Sequence, residues 1–474
     1  MTATTLAKKV ETLEPATGQP LATYDEHGAD AIDAALGRAA AAFRTWRTRS
    51  FAERAQLLRA AAGQLRSRKA ELARLATREM GKTIVEAEAE VEKSATGCDY
   101  YAEFGAEHLA DRAAPSSATE SYVAFRPLGV LLAIMPWNFP FWQVFRAAAP
   151  ALMAGNTVVL KHAANVTGTA LEIERIFAAA GFPPGAFATL VVSGKNMEAI
   201  VADPRIAAVT LTGSEAAGSS VAATAGKHLK KTVLELGGSD AYIVLGDADV
   251  AAAAKTAVRA RFQNNGQSCI AAKRFIVEDG VYDAFLDAFV AATEELVVGD
   301  PLDRATTLGP VARDDLREAL ERQVSATLAA GAKLATGGKR IARPGYFYEA
   351  TIVGDVTPGM VMFDEETFGP AAAVTRARDA EAAIELANAS DYGLGGNLWT
   401  RDLARAKAFA QRLESGAVFV NGMTASDPRL PFGGVKKSGY GRELSAFGIH
   451  EFVNIQTVWI GPPKDPNAPI VPSE

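Results

Sequence analysis

The sequence predicts an α/β fold built on a mostly parallel sheet, and two patterns carry that prediction. From Gly129 onward, short apolar runs at 130–135, 157–160, 188–192, 207–211 and 232–234 alternate with Ala-rich helical stretches, the order expected of βαβ units. A second alternating stretch runs from about Ala241 to about Phe419, with strand-like 241–245 and 274–278 and a helix-like 281–297. Ahead of both, Leu57, Leu58, Leu65, Leu72 and Leu75 recur at helical spacing among Arg, Lys and Glu, so 31–112 reads as helical.

The 474 residues are too many for one simple core; at roughly 150 residues per domain they suggest about three units. Hydrophobic residues make up 49% of the chain, enough for large buried cores, and the net charge is −6. With no basic tract, a nucleic-acid partner is excluded. The most apolar stretch, 129–142, is short and broken by Pro136 and Pro140, so no membrane span is expected. Met1 to Val10 lacks the apolar segment of a secretory signal. Cys98 and Cys269 are too few for a disulfide framework or a Cys-rich zinc site and fit a reducing cytoplasm, although one disulfide between them stays open.

Two segments, 119–127 and 453–460, stand outside the alternation and read as strands with exposed edges. Pairing between subunits would protect such edges, and so would pairing within one monomer. The tail after Gly461 is Pro-rich and reads as extended. There is no internal repeat.

Five constellations bear on chemistry. PWNFP (136–140) follows an apolar strand and holds Asn138 between two prolines; a fixed amide donor suits an oxyanion hole, or else the Asn satisfies a local turn. ELGG (235–238) puts a carboxylate at a strand's end, where Glu235 is a candidate general base or an ordinary solvated residue. QNNGQSCI (263–270) sets Cys269 after a polar, glycine-containing loop, where it is a candidate reactive thiol or else a buried inert cysteine. Cys98 lies in a helical stretch without a polar cradle. EETFGP (365–370) sets an acid beside an aromatic, which could hold a ribose and pack a flat ring, and PFGG (431–434) follows further on; by itself each is an ordinary turn. TGSEAAG (212–218) opens a helix whose N-terminus suits a pyrophosphate, but its spacing, Gly213-x4-Gly218, departs from the usual dinucleotide fingerprint.

Taken together and in order, PWNFP, LTGS, LELGG, GQSC, EETFGP and PFGGVKKSGYGRE resemble the aldehyde dehydrogenase superfamily, from about residue 12 to Ile460. The resemblance implies an α/β fold with a Rossmann-type cofactor domain (1–117 and 130–237), an α/β catalytic domain (238–440) and a β oligomerisation flap (118–129 and 450–462). It implies Cys269 as nucleophile, Glu235 as general base and Asn138 as oxyanion amide working with the Cys269 N–H. For the cofactor it implies Trp137, Gly213, Ser214 and Gly218 around the pyrophosphate and Lys161 on the adenosine ribose. Leu236 falls on the cofactor side as well, and Glu366 and Phe368 grip the nicotinamide end. The implied reaction is NAD(P)-dependent oxidation of a small aldehyde through a Cys269 thiohemiacetal and thioester, without metal, in a homo-oligomer, dimer or tetramer.

Among its members the chain is most similar to bacterial succinate-semialdehyde dehydrogenases. A substrate carboxylate wants a cation, best a bidentate Arg. Arg146, eight positions after Asn138, is the candidate, with Ser426 before PFGG; the alternative for Arg146 is a surface helix position. A second arginine that many such enzymes carry six positions before the cysteine is Gln263 here, with Arg261 two positions off. Members strict for NAD often carry a carboxylate three residues after the lysine; here that place is Ala164, and Lys195 in 193–196 adds positive charge, so NADP as well as NAD is expected. Glutarate semialdehyde or a hydroxyaldehyde remain alternatives as substrate. A cysteine hydrolase would need a histidine base, and none of His27, His108, His162, His228 or His450 falls in these motifs. A catalytically silent relative would have no need of Cys269, Glu235 and Asn138 together.

Overall fold

The computed structural model describes residues 8–461, so the first seven residues and the Pro-rich tail lie outside the described residues. Two sheets organise the molecule. The first has six strands in the order Gly439–Tyr440, Lys231–Glu235, Ile206–Thr212, Val130–Met135, Thr157–His162 and Phe187–Thr189. All are parallel except Gly439–Tyr440, which runs antiparallel to Lys231–Glu235. The five apolar runs of the sequence are thus five strands of one sheet. Val130–Met135 is buried along its whole length, which is why it reads as an unbroken apolar run rather than an alternating one. The run at 188–192 yields only the short strand Phe187–Thr189, and the chain then turns away after the Leu190 N–H donates to the Leu160 carbonyl.

The second sheet has seven strands, Lys333–Thr336, Thr351–Gly354, Ala371–Ala377, Ala272–Glu278, Asp240–Val244, Gly395–Trp399 and Ala417–Val420. Only Lys333–Thr336 is antiparallel to its neighbour. The segment 236–239 passes directly from the first sheet to the second.

The N-terminal helical region resolves into Ala29–Trp46, Phe51–Ser67, Lys69–Met80 and Ile84–His108. Ser50 and Glu53 form a reciprocal capping box that starts the second of these. Gly81, at φ +84°, ends the third, and a Cβ there would lie 2.8 Å from the Pro310 carbonyl oxygen. Leu58, Leu65 and Leu72 are fully buried and join one core with the helix Trp142–Ala154.

The two segments that stood outside the alternation pair with each other. Val453–Ile460 runs antiparallel to Glu120–Pro127, from Val453 opposite Pro127 to Ile460 opposite Glu120, and Glu120–Pro127 pairs in turn with Arg112–Ala113. Ile455, Trp459 and Ile460 remain exposed on this sheet. Among the described residues, no helix is long and apolar enough to cross a membrane.

Candidate active site

The loop that carries Cys269 is held by hydrogen bonds to both halves of the molecule. After helix Val250–Phe262 the chain passes through Asn264, Asn265 and Gly266, all left-handed at φ +55°, +57° and +74°. Asn tolerates this conformation better than other side-chain-bearing residues, and a Cβ on Gly266 would collide with the Gly369 carbonyl. Asn265 Nδ2 donates to the carbonyls of Gly81 (2.8 Å) and Pro310 (3.0 Å), while its Oδ1 accepts from the Gly309 N–H (2.7 Å). The Asn264 N–H donates to Glu86 (2.7 Å), and its Nδ2 donates to the carbonyls of Asn138 and Gln267. The fully buried Lys273 donates to the carbonyls of Ser268 (2.9 Å) and Cys269 (2.8 Å) and pairs with Glu366 at 3.0 Å.

Asn138 is fixed from the other side. Glu90 Oε1 accepts from the N–H groups of Phe141 (2.8 Å) and Trp142 (2.9 Å), capping the start of helix Trp142–Ala154, and Glu90 pairs with the buried Lys82. Burial pushes His162 down to about 4, so its ring is neutral. Nδ1 accepts from the Ala163 N–H, which leaves Nε2–H to donate to the Pro140 carbonyl at 2.9 Å. Asn138 Nδ2 spends one hydrogen on the Gln267 carbonyl (3.0 Å) and keeps the other. The Cys269 N–H has no acceptor among the described residues. Two donors next to the sulfur are therefore available to an oxyanion.

Cys269 is half-buried. Burial pushes its thiol up to about 12, with Arg146 and Lys273 pulling the other way, so the resting sulfur keeps its proton and needs a base. Glu235, at the end of Lys231–Glu235, is 2% exposed and neither carboxyl oxygen has a hydrogen-bond partner. Its acidity is weakened first by burial and next by the charge of Glu443, so its carboxylate is a stronger base than an exposed one. The carboxyl rests against Gly433, where a Cβ would lie 2.7 Å from Oε1.

Two cavities meet at Cys269. The first, of about 450 Å³, is lined by Trp137, Asn138, Lys161, Gly213, Ser214, Leu236, Glu366 and Phe368, and the sulfur closes one end. Helix Glu215–Lys227 opens on it through Gly213 and Ser214, the Ser214 side chain capping the Ala217 N–H. Gly218 lets that helix lie on Leu236, whose Cδ2 would be 2.6 Å from a Cβ there. Lys161 has no carboxylate partner among the described residues. Phe368 meets Trp137 edge to face, centroids 5.7 Å apart. A helix N-terminus, an unpaired lysine and a carboxylate beside an aromatic ring fit the phosphates, riboses and flat ring of a dinucleotide. Two sequence expectations stand apart from this cavity. Ala164 is exposed in the turn Ala164–Val166 and does not line it. Lys195 lies in another cavity of about 740 Å³, because the turn Gly194–Asn196 faces helix Ala29–Trp46.

The second cavity, of about 460 Å³, lies on the other side of the sulfur and is lined by Lys93, Phe139, Trp142, Arg146, Arg259, Gln263, Ser426 and Phe432. Arg146 is not a surface residue: it is 3% exposed, pairs with the buried Glu443, and lays its guanidinium 4.5 Å from the centre of the Phe432 ring. Its charge is thus already matched by a carboxylate. Ser426 Oγ accepts from Lys93 Nζ (2.7 Å) and Trp142 Nε1 (3.1 Å). Arg261 lies away from the cavity, fully buried, its guanidinium donating to the carbonyls of Ala272, Gly266, Thr367 and Gly369.

Sequence reasoning passed over Lys273, Glu90, Lys93, Arg259, Gln143 and Glu443. Gln143 lines both cavities with its Oε1 buried and unpartnered. Glu86, Glu90 and Lys93 fall on one face of helix Ile84–His108, a spacing visible in the sequence that says nothing of what the face meets.

The aldehyde dehydrogenase family model matches residues 2–458. The chain is 52% identical to the succinate-semialdehyde dehydrogenase (NADP+) 1 of Mycobacterium ulcerans over 95% of this chain and 100% of that protein. It superposes on the succinic semialdehyde dehydrogenase of Streptococcus pyogenes, solved with NADP+, with a TM-score of 0.93 at 38% identity, covering 95% of this chain and 99% of that one. The succinate-semialdehyde dehydrogenase of Burkholderia pseudomallei gives the same TM-score at 37% identity, covering 95% and 94%. With its thiol between a dinucleotide-shaped cavity and a second chamber, and with these likenesses along nearly its full length, the chain belongs to the aldehyde dehydrogenase family.

Proposed function

We propose that the protein oxidises succinate semialdehyde to succinate, with NADP accepted and NAD as the alternative cofactor. The observation that carries this reading is the half-buried Cys269 where two cavities meet, one suited to a dinucleotide and the other holding more cations than carboxylates neutralise. The relatives named for this substrate and for NADP+ support it.

The steps follow from the residues in place. Cys269 Sγ bonds the aldehyde carbon as its proton passes to Glu235. The carbonyl oxygen becomes an oxyanion facing the free hydrogen of Asn138 Nδ2 and the Cys269 N–H, which stabilise it most in the transition state. Lys161, Ser214 and Glu366 would hold the nicotinamide cofactor in the first cavity, where it would accept the hydride given up by the aldehyde carbon. Glu235 then releases the thiol's proton to solvent; water attacks the resulting thioester on Cys269 and gives its proton to the freed carboxylate, the sulfur leaves and takes that proton back, and the carboxylic acid departs. Arg146 and Ser426 belong to the chamber wall on the substrate's side.

Among the residues lining the first cavity the one carboxylate is Glu366, already paired with Lys273, which favours acceptance of the 2′-phosphate of NADP. The exposed Ile455, Trp459 and Ile460 support assembly through the three-stranded sheet into a dimer or tetramer. Both thiols are free, as a reducing cytoplasm would keep them. The division at 1–117 with 130–237, 238–440, and 118–129 with 450–462 is the domain scheme we propose for this assembly.

The test is a panel of succinate semialdehyde, glutarate semialdehyde, butanal and glycolaldehyde with NADP and NAD, read as reduced nicotinamide absorbance. The highest kcat/KM is expected for succinate semialdehyde with NADP. Equal kcat/KM for butanal would reject a carboxylated substrate, and a strong NAD preference would reject the cofactor assignment.

A further inference from the structure

The chamber's cations divide into two kinds. Arg146 is matched by Glu443. Glu90, which also lines the chamber, is matched by Lys82. Glu86 is buried, accepts from the Asn264 N–H, and burial favours its neutral form. Lys93 and Arg259, in contrast, have no carboxylate within ion-pair distance among the described residues. Asp427, whose charge also acts on Lys93, is committed to Arg429 at 2.6 Å.

Lys93 is the inner of the two. Its Nζ lies 4.8 Å from the centre of the Trp142 ring and donates to Ser426 Oγ at 2.7 Å. Ser426 Oγ accepts that bond and a second from Trp142 Nε1, so its own O–H points to no acceptor among the described residues. An ammonium with spare hydrogens and a hydroxyl with its proton unspent form a two-donor cradle. Arg259, exposed and one helical turn before Gln263, lines the same chamber. It brings a guanidinium to the wall where Gln263 supplies none.

We infer that the substrate's remote carboxylate is held by Lys93 and the Ser426 hydroxyl, with Arg259 attracting it at the rim, while Arg146 serves the chamber through its pair with Glu443. This rests on the carboxylated aldehyde proposed above. Burial pushes Lys93 down to about 8, helped by the charge of Arg146 and opposed by Glu90 on its own helix and Asp427 of the 421–431 segment. Above pH 8 the ammonium loses its proton in the free enzyme, and binding of the anion must restore it.

The experiment compares kcat/KM for succinate semialdehyde with that for butanal in the wild type, Lys93→Met, Lys93→Arg and Arg259→Met, with KM followed from pH 6.5 to 9.5. A charge-assisted pair of hydrogen bonds corresponds to about a 10- to 100-fold change in binding. The anion-to-butanal ratio is expected to fall by that factor in Lys93→Met, through KM rather than kcat, and by a few-fold in Arg259→Met, an exposed position whose variant folds regardless. Lys93→Arg should keep the preference and lose the rise of KM for the anion above pH 8. A preserved ratio in Lys93→Met, or an equal loss for both aldehydes, overturns the anchor while leaving the carboxylated substrate standing. A wild type without preference for the anion overturns the substrate reading, and the anchor with it.

Discussion

The cofactor-side cavity and the chamber across the sulfur are assembled in different ways. The first is walled mostly by strand ends and the turns that follow them, in short stretches such as Ile134 to Asn138, Leu211 to Ser214 and Leu236 to Gly237, with Glu366 and Phe368. The second is walled by side chains from the helices Ile84–His108, Trp142–Ala154 and Val250–Phe262 together with the loop around Ser426. A contiguous turn keeps its chemistry and its geometry in the same few residues, whereas a chamber between helices takes one residue from each. If the proposed assignment holds, the shared chemistry belongs to the turns and the choice of aldehyde to the helices.

The sharpest way to break this comparison is at the sulfur both cavities share. Cys269→Ala should remove cofactor reduction with every aldehyde while leaving cofactor binding, read as quenching of Trp fluorescence, in place; retained turnover would show that the two cavities do not meet in a reaction. Glu235→Gln should lower kcat by about 10²–10⁴-fold. Because burial and Glu443 weaken its acidity, the Glu235 carboxyl holds its proton to higher pH than an exposed one, and activity should climb with pH along a limb lying well above 4.5. The Gln variant should lack that limb, and a limb surviving unchanged would assign the base elsewhere. Glu90→Gln leaves Lys82 buried without its counter-charge, a change that typically costs about 3–5 kcal/mol. A lower melting temperature and a lower kcat should appear together, since the same carboxylate caps the helix after Asn138. A lower melting point with kcat intact would separate the capping carboxylate from the oxyanion amide. The smallest effect is expected at the exposed Ala164: Ala164→Glu should shift kcat/KM from NADP toward NAD by about tenfold, equivalent to about 1.4 kcal/mol. No shift would move the selection of the 2′-phosphate away from this turn.

The sequence was most readable where burial is uniform or conformation is forced. The five strands of the first sheet show as apolar runs because parallel strands covered on both faces have no polar side to interrupt them. The loop before Cys269 shows through Asn264, Asn265 and Gly266, which left-handed backbone selects. Cys269, Asn138 and Glu235 do come together, but Glu235 rests against Gly433, whose place beside it no spacing announces. Arg146 lies on the chamber wall as its spacing suggested, yet its partner Glu443 is almost three hundred positions away, so the state of its charge was not legible. Lys93 and Arg259 look like ordinary charges on amphipathic helices until the helices are packed. Lys195 shows the converse failure: nearness in sequence to the ribose strand did not bring it to the cavity, because the turn after Phe187–Thr189 faces outward to another helix.

Asn265 has a consequence for how the enzyme exchanges its ligands. One amide side chain bridges the turn at Gly81, beneath the N-terminal helices, and the Gly309–Pro310 segment beyond the second sheet. Parting those regions would break three bonds together, each worth about 1 kcal/mol net, and would drag the Cys269 loop out of line. Traffic of aldehyde and dinucleotide is therefore expected through the two mouths of a standing frame, with turnover set by local rearrangement of side chains rather than by a breathing clamp.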